Sequence, residues 1–349
     1  MNYKISDPLR DPELFLSDLE RLVASTQADV LLPISEAALL LVLPNRNRFP
    51  CIIPFATASA FDQVCDKRKV LETAGIHGIA VPNQTEIDKP TDISRFSDDL
   101  QFPLVLKPSR SIAGKEGKRI RAGVAYATNA QNLRDELKRI PSEAYPILLQ
   151  QRIDGPGFGV SVLLWDGKLL AAFAHRRIRE KPPSGGVSVL RESIPLDQKL
   201  LSQSLALLRD FKWQGVAMVE YKLDADNGLP YLMEINGRFW GSLQLAIDAG
   251  VDFPNLLVEL ALGGNPAPVT TYNAGVRSRW EWGDMDHLLA AMLHASASDI
   301  IPGATLKQQR LAAIAEFVRG FNRENRAEVF RRDDPRPFLR ETVDWFLRR

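Results

Sequence analysis

The chain has few cysteines, few histidines and no excess of charge of either sign. Its 349 residues include 2 cysteines and 4 histidines. Cys51 and Cys65 are too few for a disulfide framework and lack metal-type spacing, which favours a reduced, cytoplasmic setting. The 44 basic and 43 acidic residues almost cancel, so the composition predicts no broad surface for nucleic acid or acidic membranes.

Long hydrophobic runs and internal repeats are also missing. The longest apolar run, residues 30–43, is interrupted by Pro33, Ser35 and Glu36, whereas a membrane-spanning helix needs about 20 consecutive apolar residues. The N-terminal residues are polar and show no apolar core of a signal peptide. We therefore expect no membrane association. The length suffices for two or three domains with a sizeable core.

The most informative segment is residues 215–242, which contains two apolar runs separated by a polar turn at 224–228. The turn ends in Asn227 and Gly228, a pair that favours positive φ and a hairpin with a longer loop. The segment therefore predicts two antiparallel strands.

Each of these predicted strands carries a carboxylate where an apolar residue is expected. Glu220 interrupts the first run, and Glu234 and Asn236 lie near the end of the second. Residues two apart share one face of a strand, so Glu234 and Asn236 point the same way, with Glu220 opposite them if the hairpin is in register. Two carboxylates and an amide oxygen suit Mg²⁺. The alternative is that these side chains form a solvated polar face.

A second group of polar residues follows an apolar strand predicted at residues 102–108, which contains Lys107. The next segment, residues 109–117, is rich in small residues and flanked by basic ones, so its backbone N–H groups suit a polyphosphate. The segment contains Ser109, Ser111 and Gly114. It lacks Walker spacing, and an exposed lysine-rich loop is the alternative.

A basic segment at residues 175–186 contains Arg177 and Arg179 and ends in a Pro- and Gly-rich stretch. A mobile loop with these cations fits a lid over an anion. The alternative is an exposed loop with scattered charge. We assign no role to the histidines, His175 included, because isolated histidines are more often exposed or hydrogen-bonded within the fold.

The order of predicted elements indicates an α/β chain of several parts. These are a shortened N-terminal α/β domain at 1–65, a central domain at 66–265 with a loop subdomain at about 100–150 and a metal-binding subdomain at about 151–265, and a mostly helical extension at 266–349 that caps the main domain. In the first part, short apolar strands at 30–34 and 51–54 alternate with helices, which is typical of the start of a parallel sheet.

Several of these motifs occur in the order and spacing of the ATP-grasp superfamily. They are the strand end VLKP with Lys107, the small-residue loop, the turn QQRIDGPG, and the segment EINGRFWGS after Glu220. The chain resembles this superfamily from about residue 66 to about residue 263. The AGVDFP segment makes it most similar to the carboxylate–amine ligase and carbamoyl-phosphate-synthase-like branch. The resemblance implies an α+β ATP-grasp fold in which two subdomains grip ATP.

The resemblance also implies a role for each residue that matches a family motif. The implied metal ligands, for Mg²⁺ or alternatively Mn²⁺, are Glu220, Glu234 and Asn236. The implied ATP contacts are Lys67, Lys107, Ser109, Ser111, Gly114, Gln150, Gln151 and Ile153. The implied groups near the transferred phosphoryl are Arg238, Arg177 and Arg179, of which the last two have no unique alignment.

The implied reaction is an ATP-dependent ligation. A carboxylate becomes an acyl phosphate, an amine attacks it, and the metal and the lysines offset charge on the phosphates. The expected partners are a small-molecule acid and amine, with neither nucleic acid nor membrane, and a homodimer is expected because dimers are common in the superfamily. One alternative is a phosphotransferase of the same fold. The other is a non-catalytic nucleotide-binding module, and the intact set of three metal ligands argues against this second alternative.

Two features depart from the family pattern. Many ATP-grasp enzymes have an acid two residues after the turn glycine to hold the ribose hydroxyls, and this chain has Gly157 there. That contact comes from another residue, such as Gln151, or is lost. The N-terminal part also lacks the strand–helix–strand unit that normally precedes the DVLLP strand, so we expect a truncated or degenerate domain there.

Overall fold

The structure, a computed structural model, describes residues 3–95, 100–114, 119–182, 185–294, 306–322 and 324–347. The helices are α1 (Pro12–Thr26), α2 (Glu36–Val42), α3 (Ala58–Val64), α4 (Lys67–Ile76), α5 (Ala130–Arg139), α6 (Gln198–Asp210), α7 (Leu243–Ala249), α8 (Phe253–Ala261), α9 (Glu281–His294), α10 (Leu306–Arg319) and α11 (Arg336–Leu347). The strands are β1 (Gln84–Ile87), β2 (Leu104–Pro108), β3 (Ile112–Ala113), β4 (Ile120–Arg121), β5 (Ala125–Ala127), β6 (Ile147–Gln151), β7 (Gly157–Trp165), β8 (Lys168–Lys181), β9 (Val187–Ser193), β10 (Gly215–Leu223), β11 (Pro230–Asn236), β12 (Arg277–Arg279) and β13 (Asn325–Ala327).

Within the described ranges, these strands form two large sheets and one small hairpin. The larger sheet has the order β11-β10-β7-β8-β9-β12-β13 and is antiparallel except for the pair β12–β13. The smaller sheet has the order β1-β6-β2-β5, and β3 pairs with β4. The chain therefore has the predicted mixture of helices and strands, with antiparallel sheets of the α+β kind.

The hairpin β7–β8 forms the centre of the larger sheet. Its turn residues Asp166 and Gly167 have φ of 48° and 75°, and two positive φ values in a two-residue turn match the twist of antiparallel strands. Both strands contain long apolar runs, which are typical of strands buried on both faces. Helices α6 and α8 pack against β7, so the hairpin is held by the core on the side away from its polar end.

Two hydrophobic clusters divide the described part of the molecule. The smaller cluster holds β1, β2, β6 and α5 together, with Leu106 and Leu133 among its buried residues. The larger cluster includes the strands β7, β8, β10 and β11 and also the first helices, with Leu39 and Phe61 fully buried. The helices α1–α4 thus pack into the core of the larger sheet.

The two short strands predicted at residues 30–34 and 51–54 are wrong. These segments make one isolated parallel bridge, between Val30 and Ile52, in the region described. Pro33 follows closely after the bridge, and proline has no N–H group to continue a ladder. The apolar runs therefore pack as extended segments beside the larger sheet.

The helices predicted in the last part of the chain are present as α9, α10 and α11. The strands β12 and β13 were not predicted, and they extend the larger sheet beyond β9. The side chains of β12 explain its position, because Arg279 is 4% exposed and its Nε donates to Asp284 at 2.6 Å. Across the ranges that the structure covers, no helix is both long enough and apolar enough to span a membrane.

Candidate active site

A cleft of about 390 Å³ lies between the two large sheets. One wall comes from β2, β5 and β6, and the other comes from β7 to β11. The residues proposed from the sequence that line this cleft are Lys107, Gln150, Gln151, Ile153, Arg177, Glu220, Glu234, Asn236 and Arg238. The cleft therefore brings most of the predicted site together.

The predicted hairpin of β10 and β11 is present, and it brings its two carboxylates face to face. Glu220 pairs directly with Glu234 across the two strands. Asn236 Nδ2 donates to Glu220 Oε1 at 3.0 Å and lies 3.3 Å from Glu234 Oε1. Because like charges directly opposite on a sheet destabilise it, this carboxylate pair requires positive charge around it.

A β-bulge sets the position of this carboxylate pair. The register changes between Glu220 and Tyr221, since Tyr221 pairs with Leu232 and Met233 is left without a partner in the ladder. Bulges re-aim side chains and occur often beside active sites. Here the sulfur of the unpaired residue Met233 lies 3.8 Å from Lys107 Nζ, so this residue contacts the smaller sheet.

Two cations from other elements compensate the carboxylate pair. Arg177 of β8 lies 2.5 Å from Glu220 Oε2 and 3.3 Å from Glu180. Lys67 at the start of α4 lies 3.5 Å from Glu234 Oε2 and donates to Ser111 Oγ at 2.8 Å. The site thus joins the larger sheet to α4 and to the loop after β2.

Burial and neighbouring charges shift the pKa values of this group in different directions. Burial raises the pKa of Glu220 despite the opposing charge of Arg177. Burial also acts to raise the pKa of Glu234, but Lys67 and Lys107 outweigh it, so the pKa of Glu234 is lowered. Burial lowers the pKa of Lys107 to about 8, although Glu234 opposes the change. Perturbed pKa values around one cleft are typical of functional sites.

Two glycines of β7 make room for the long side chains of β8. A Cβ atom on Gly157 would lie 2.9 Å from Arg177 Cδ, and one on Gly159 would lie 2.7 Å from His175 Cε1. Arg177 therefore crosses β7 at Gly157 on its way to Glu220. The family pattern has an acid at the position of Gly157. In this chain the absence of a side chain there leaves space for Arg177.

The strand β6 places Gln150, Gln151 and Ile153 at the cleft in different ways. The side chain of Gln150 is 1% exposed and donates to Gln84 at 2.8 Å, and its backbone lies in the ladder between β1 and β2. Gln151 N donates to Asn83 O at 2.8 Å. Ile153 follows the end of the strand, and its carbonyl accepts from Lys222 Nζ at 3.0 Å. An adenine contact by this backbone stays a prediction.

Arg179 does not line the cleft. Its Nε lies 3.3 Å from Asp284 Oδ1, away from the carboxylate pair. The cause is an irregular register of β8 and β9 between Arg177 and Arg179, which turns the second arginine toward α9. The prediction of a mobile loop at 175–186 is also wrong, because strand β8 continues to Lys181. Residues 183–184 of this segment lie outside the described ranges.

Ser109 and Gly114 line a neighbouring cavity of about 580 Å³ instead of the cleft. Ser109 O accepts from Lys67 N at 2.8 Å, so its backbone holds the start of α4. The predicted small-residue loop contains the hairpin strand β3, and its residues 115–117 lie outside the described residues. Of this loop, Ser111 is linked to the carboxylate pair, through Lys67.

Residues 143–282 match the model of a family described as "ATP-grasp in the biosynthetic pathway with Ter operon". The match contains β7 to β12 and therefore the carboxylate pair and Arg238. This match covers less than half of the chain, and the cleft between two sheets agrees with it. The chain has an ATP-grasp fold.

Solved structures of low sequence identity share this ATP-grasp fold. The L-amino acid ligase from Bacillus licheniformis is 20% identical with a TM-score of 0.56, covering 72% of this chain and 60% of that chain. A biotin carboxylase-βγ-ATP complex from Campylobacter jejuni is 16% identical with a TM-score of 0.61, covering 77% and 62%. The N5-carboxyaminoimidazole synthetase from Staphylococcus aureus is 16% identical with a TM-score of 0.56, covering 79% and 68%. The chain thus spans about three fifths of the length of the first two. No curated protein sequence matches it.

The donor set of the ATP-grasp cleft fits a divalent cation. In the described ranges no three His, Cys, Asp or Glu side chains cluster as metal ligands, and the polar side chain in contact with both carboxylates is the amide of Asn236. Its NH₂ group contacts both carboxylates, and rotation of the amide exchanges the NH₂ group for an acceptor oxygen. Two carboxylates with one amide oxygen form the all-oxygen set that Mg²⁺ and Mn²⁺ prefer.

The sequence did not assign several polar residues of the ATP-grasp cleft. His175 is 2% exposed, and its Nε2 lies 3.1 Å from Ser242 Oγ. Burial, with help from Arg177 and Arg191, lowers the pKa of His175 to about 3, so this imidazole is neutral at physiological pH. Arg191 is also 2% exposed. The available signal was the run Arg-Glu-Ser, which ends strand β9 directly after the apolar pair Val189 and Leu190.

Proposed function

We propose that this protein is an ATP-dependent ligase that activates a carboxylate as an acyl phosphate and joins it to an amine, with release of ADP and phosphate. The observation that carries the proposal is the Glu220–Glu234 pair with Asn236 beside it, in a cleft that also holds lysine and arginine side chains. This arrangement combines ligands for a divalent cation with groups that bind phosphate.

Glu220, Glu234 and Asn236 would hold Mg²⁺ or Mn²⁺. When bound, such a cation supplies positive charge that offsets the negative charge of the ATP phosphates. Arg177 contacts Glu220 directly, so in our proposal it balances this carboxylate while the nucleotide and its cation are exchanged.

Lys67 and Lys107 are the proposed phosphate-binding groups. Both lie beside Glu234, and Lys107 is buried in the wall of the smaller sheet. A buried lysine gains favourable charge interactions when polyphosphate enters, because the surroundings screen the interaction less than water does. A lysine with a pKa near 8 is still mostly protonated at pH 7.

Arg238 is the proposed contact of the reacting carboxylate. It follows the end of β11, two residues after Asn236, and lines the cleft. Its NH1 donates to Phe239 O at 2.9 Å, and a guanidinium has five donors in total. The remaining donors are directed to the acyl phosphate in this proposal, which requires no covalent enzyme nucleophile. The acid and amine are small molecules, and a homodimer in the cytoplasm stays an expectation.

The test is to incubate the full chain with ATP, Mg²⁺ and pools of carboxylates and amines, and to follow ADP, AMP and phosphate. We expect ADP and phosphate in equal amounts when acid and amine are both present. ADP without phosphate indicates a phosphotransferase. Nucleotide binding without turnover indicates a binding module, and either of these two results contradicts the ligase proposal.

A further inference from the structure

One end of the cleft, distant from the carboxylate pair, is formed by β8, β9 and the segment after β11. Arg191 of β9 lies in this wall and is 2% exposed. Its NH1 donates to Gly241 O at 2.7 Å, and its NH2 pairs with Glu328. Its Nε has no hydrogen-bond partner in the parts of the chain that are described.

Two neighbouring side chains in this wall also have unpaired buried nitrogens. Among the described residues, neither Trp240 Nε1 nor His175 Nδ1 has a partner, and both residues line the cleft. An indole N–H is a donor only. Leaving a buried donor unsatisfied is unfavourable, so this end of the cleft favours a ligand that brings acceptor oxygens.

The strand order separates this wall from the carboxylate pair. Arg191 pairs in register with Arg177 of β8, so both side chains lie on the cleft face of the sheet. Three strand spacings separate β9 from β10, which is about 14 Å between the backbones. Within the described part of the cleft wall, the carboxylates are Glu180, Glu220 and Glu234, and none of them contacts Arg191.

We infer that the acid substrate carries a second anionic group, a carboxylate or a phosphonate or phosphate, which Arg191 holds together with Trp240. This inference rests on the proposed ligase function. Arg238, two residues after Asn236, holds the carboxylate that reacts, while Arg191 holds the group that does not react. Arg191 is therefore a specificity-determining residue.

The experiment compares acids of equal chain length that differ in the second anionic group. Full-length protein with ATP, Mg²⁺ and a fixed amine pool is given succinate, glutarate and adipate, the matching monocarboxylates butyrate, valerate and hexanoate, and 3-phosphonopropionate. We expect at least about tenfold higher kcat/KM for the dianions, because a hydrogen bond between charged groups is stronger than one between neutral groups. The phosphonate arm distinguishes a phosphate-type group from a carboxylate.

The variants separate recognition from folding. Removing Arg191 alone leaves Glu328 buried without its cation, so the test uses the double variant Arg191→Met with Glu328→Gln, and Glu328→Gln alone as its control. The double variant is expected to lose the preference through a rise of at least about tenfold in KM for the dianion, with KM for ATP within about twofold. Glu328→Gln alone is expected to keep the preference for dianions. In this variant Arg191 is still present, and its positive charge is no longer neutralised by Glu328.

The inference is overturned if monocarboxylates and dianions are turned over equally, or if the double variant keeps the preference for dianions. Either result is still compatible with the ligase function. A parallel calorimetric titration of the same acids into protein with MgADP needs no turnover. If no acid–amine pair gives ADP but dianions bind and the double variant loses that binding, the ligase function fails and the anion site stands. If neither turnover nor dianion binding occurs, both are overturned.

Discussion

Glu220 and Glu234 lie directly opposite each other on β10 and β11, and each contacts a different cation. Arg177 lies 2.5 Å from Glu220, and Lys67 lies 3.5 Å from Glu234. The two cations come from different elements, one from β8 and one from the start of α4. The carboxylate pair is therefore compensated by positive charge from both sides.

The first prediction concerns Glu234. Glu234→Gln keeps the shape of the side chain but removes one of the two carboxylates, so we expect ATP turnover to fall by about 100-fold or more. The free energy of unfolding should change little, since the variant also relieves the repulsion from Glu220. ADP release in the ligase assay and urea unfolding measure the two effects.

Asp226→Asn is the matched control, because Asp226 is an exposed acid in the turn of the same hairpin. We expect wild-type turnover in this variant. Unchanged turnover in Glu234→Gln would remove the metal assignment.

The second prediction concerns Arg177. Its removal in Arg177→Met leaves Glu220 buried beside Glu234 without its cation, and breaking a buried ion pair in this way costs about 3–5 kcal/mol. The Arg177 side chain is 19% exposed, so we expect a loss at the lower end of that range. Mg²⁺ or Mn²⁺ should raise the melting temperature of the variant more than that of the wild type.

Arg176→Met is the control for Arg177. The Arg176 side chain is 53% exposed and pairs with Glu192, and surface pairs contribute about 0–1 kcal/mol. Thermal melts with and without the cation compare the two variants. An equal cation response in wild type and Arg177→Met would show that Arg177 does not compensate the carboxylate pair.

The third prediction concerns Gly157. In Gly157→Ala the new Cβ would lie 2.9 Å from Arg177 Cδ, so Arg177 has to leave the path by which it reaches Glu220. We expect at least about tenfold lower kcat/KM, with a loss of stability of about 1–3 kcal/mol. Gly123→Ala is the control, because a Cβ there meets no atom within 4 Å. Wild-type kinetics in Gly157→Ala would mean that Arg177 is free to move.

The sequence predicted the hairpin that carries the carboxylate pair, because the signals for this hairpin are local. The apolar runs and the turn at residues 224–228 predict the hairpin, and the alternation of side chains puts Glu234 and Asn236 on one face. Gly228 has a φ of 69°, as such a turn requires. The bulge at Met233 was not predicted, because it depends on how β11 pairs with β10.

Long-range contacts explain what the sequence did not predict. Arg177 and Arg179 are equivalent in the sequence, and the irregular pairing of β8 with β9 sends one to Glu220 and the other to Asp284. The run at residues 30–34 has a strand composition, but Pro33 and the tertiary packing limit it to one bridge. The strand β12 is short and contains two arginines, so no local pattern indicates that it joins a sheet.

The fourth prediction is a pH dependence of stability that comes from Glu328. Burial raises the pKa of Glu328 to about 7, although Arg191 opposes the rise. The folded protein therefore binds this proton more tightly than the unfolded chain, whose glutamate pKa is about 4.3. The resulting stabilisation is complete below about pH 4.3 and is lost as the pH rises through about 7.

Urea unfolding at pH 5, 6, 7 and 8 measures this effect. We expect the wild type to lose about 1–3 kcal/mol across this range, and Glu328→Gln to lose distinctly less because its side chain does not titrate. Glu324→Gln is the control, since the Glu324 side chain is 77% exposed. The same pH slope in wild type and Glu328→Gln would contradict the prediction.

The fifth prediction concerns the first helices, which we propose to be part of the larger unit and not a separate domain. Leu39 of α2 and Leu257 of α8 are both 0% exposed and belong to one hydrophobic cluster. Each substitution by alanine should therefore lower the free energy of unfolding by about 2–5 kcal/mol and lower the temperature of the same calorimetric transition.

Leu14→Ala on α1 is the control, because Leu14 is 60% exposed and surface changes are usually within about 0.5 kcal/mol. If Leu39→Ala shifts a transition that Leu257→Ala leaves unchanged, the first helices unfold as a domain of their own, and the shared core does not couple them to the cleft.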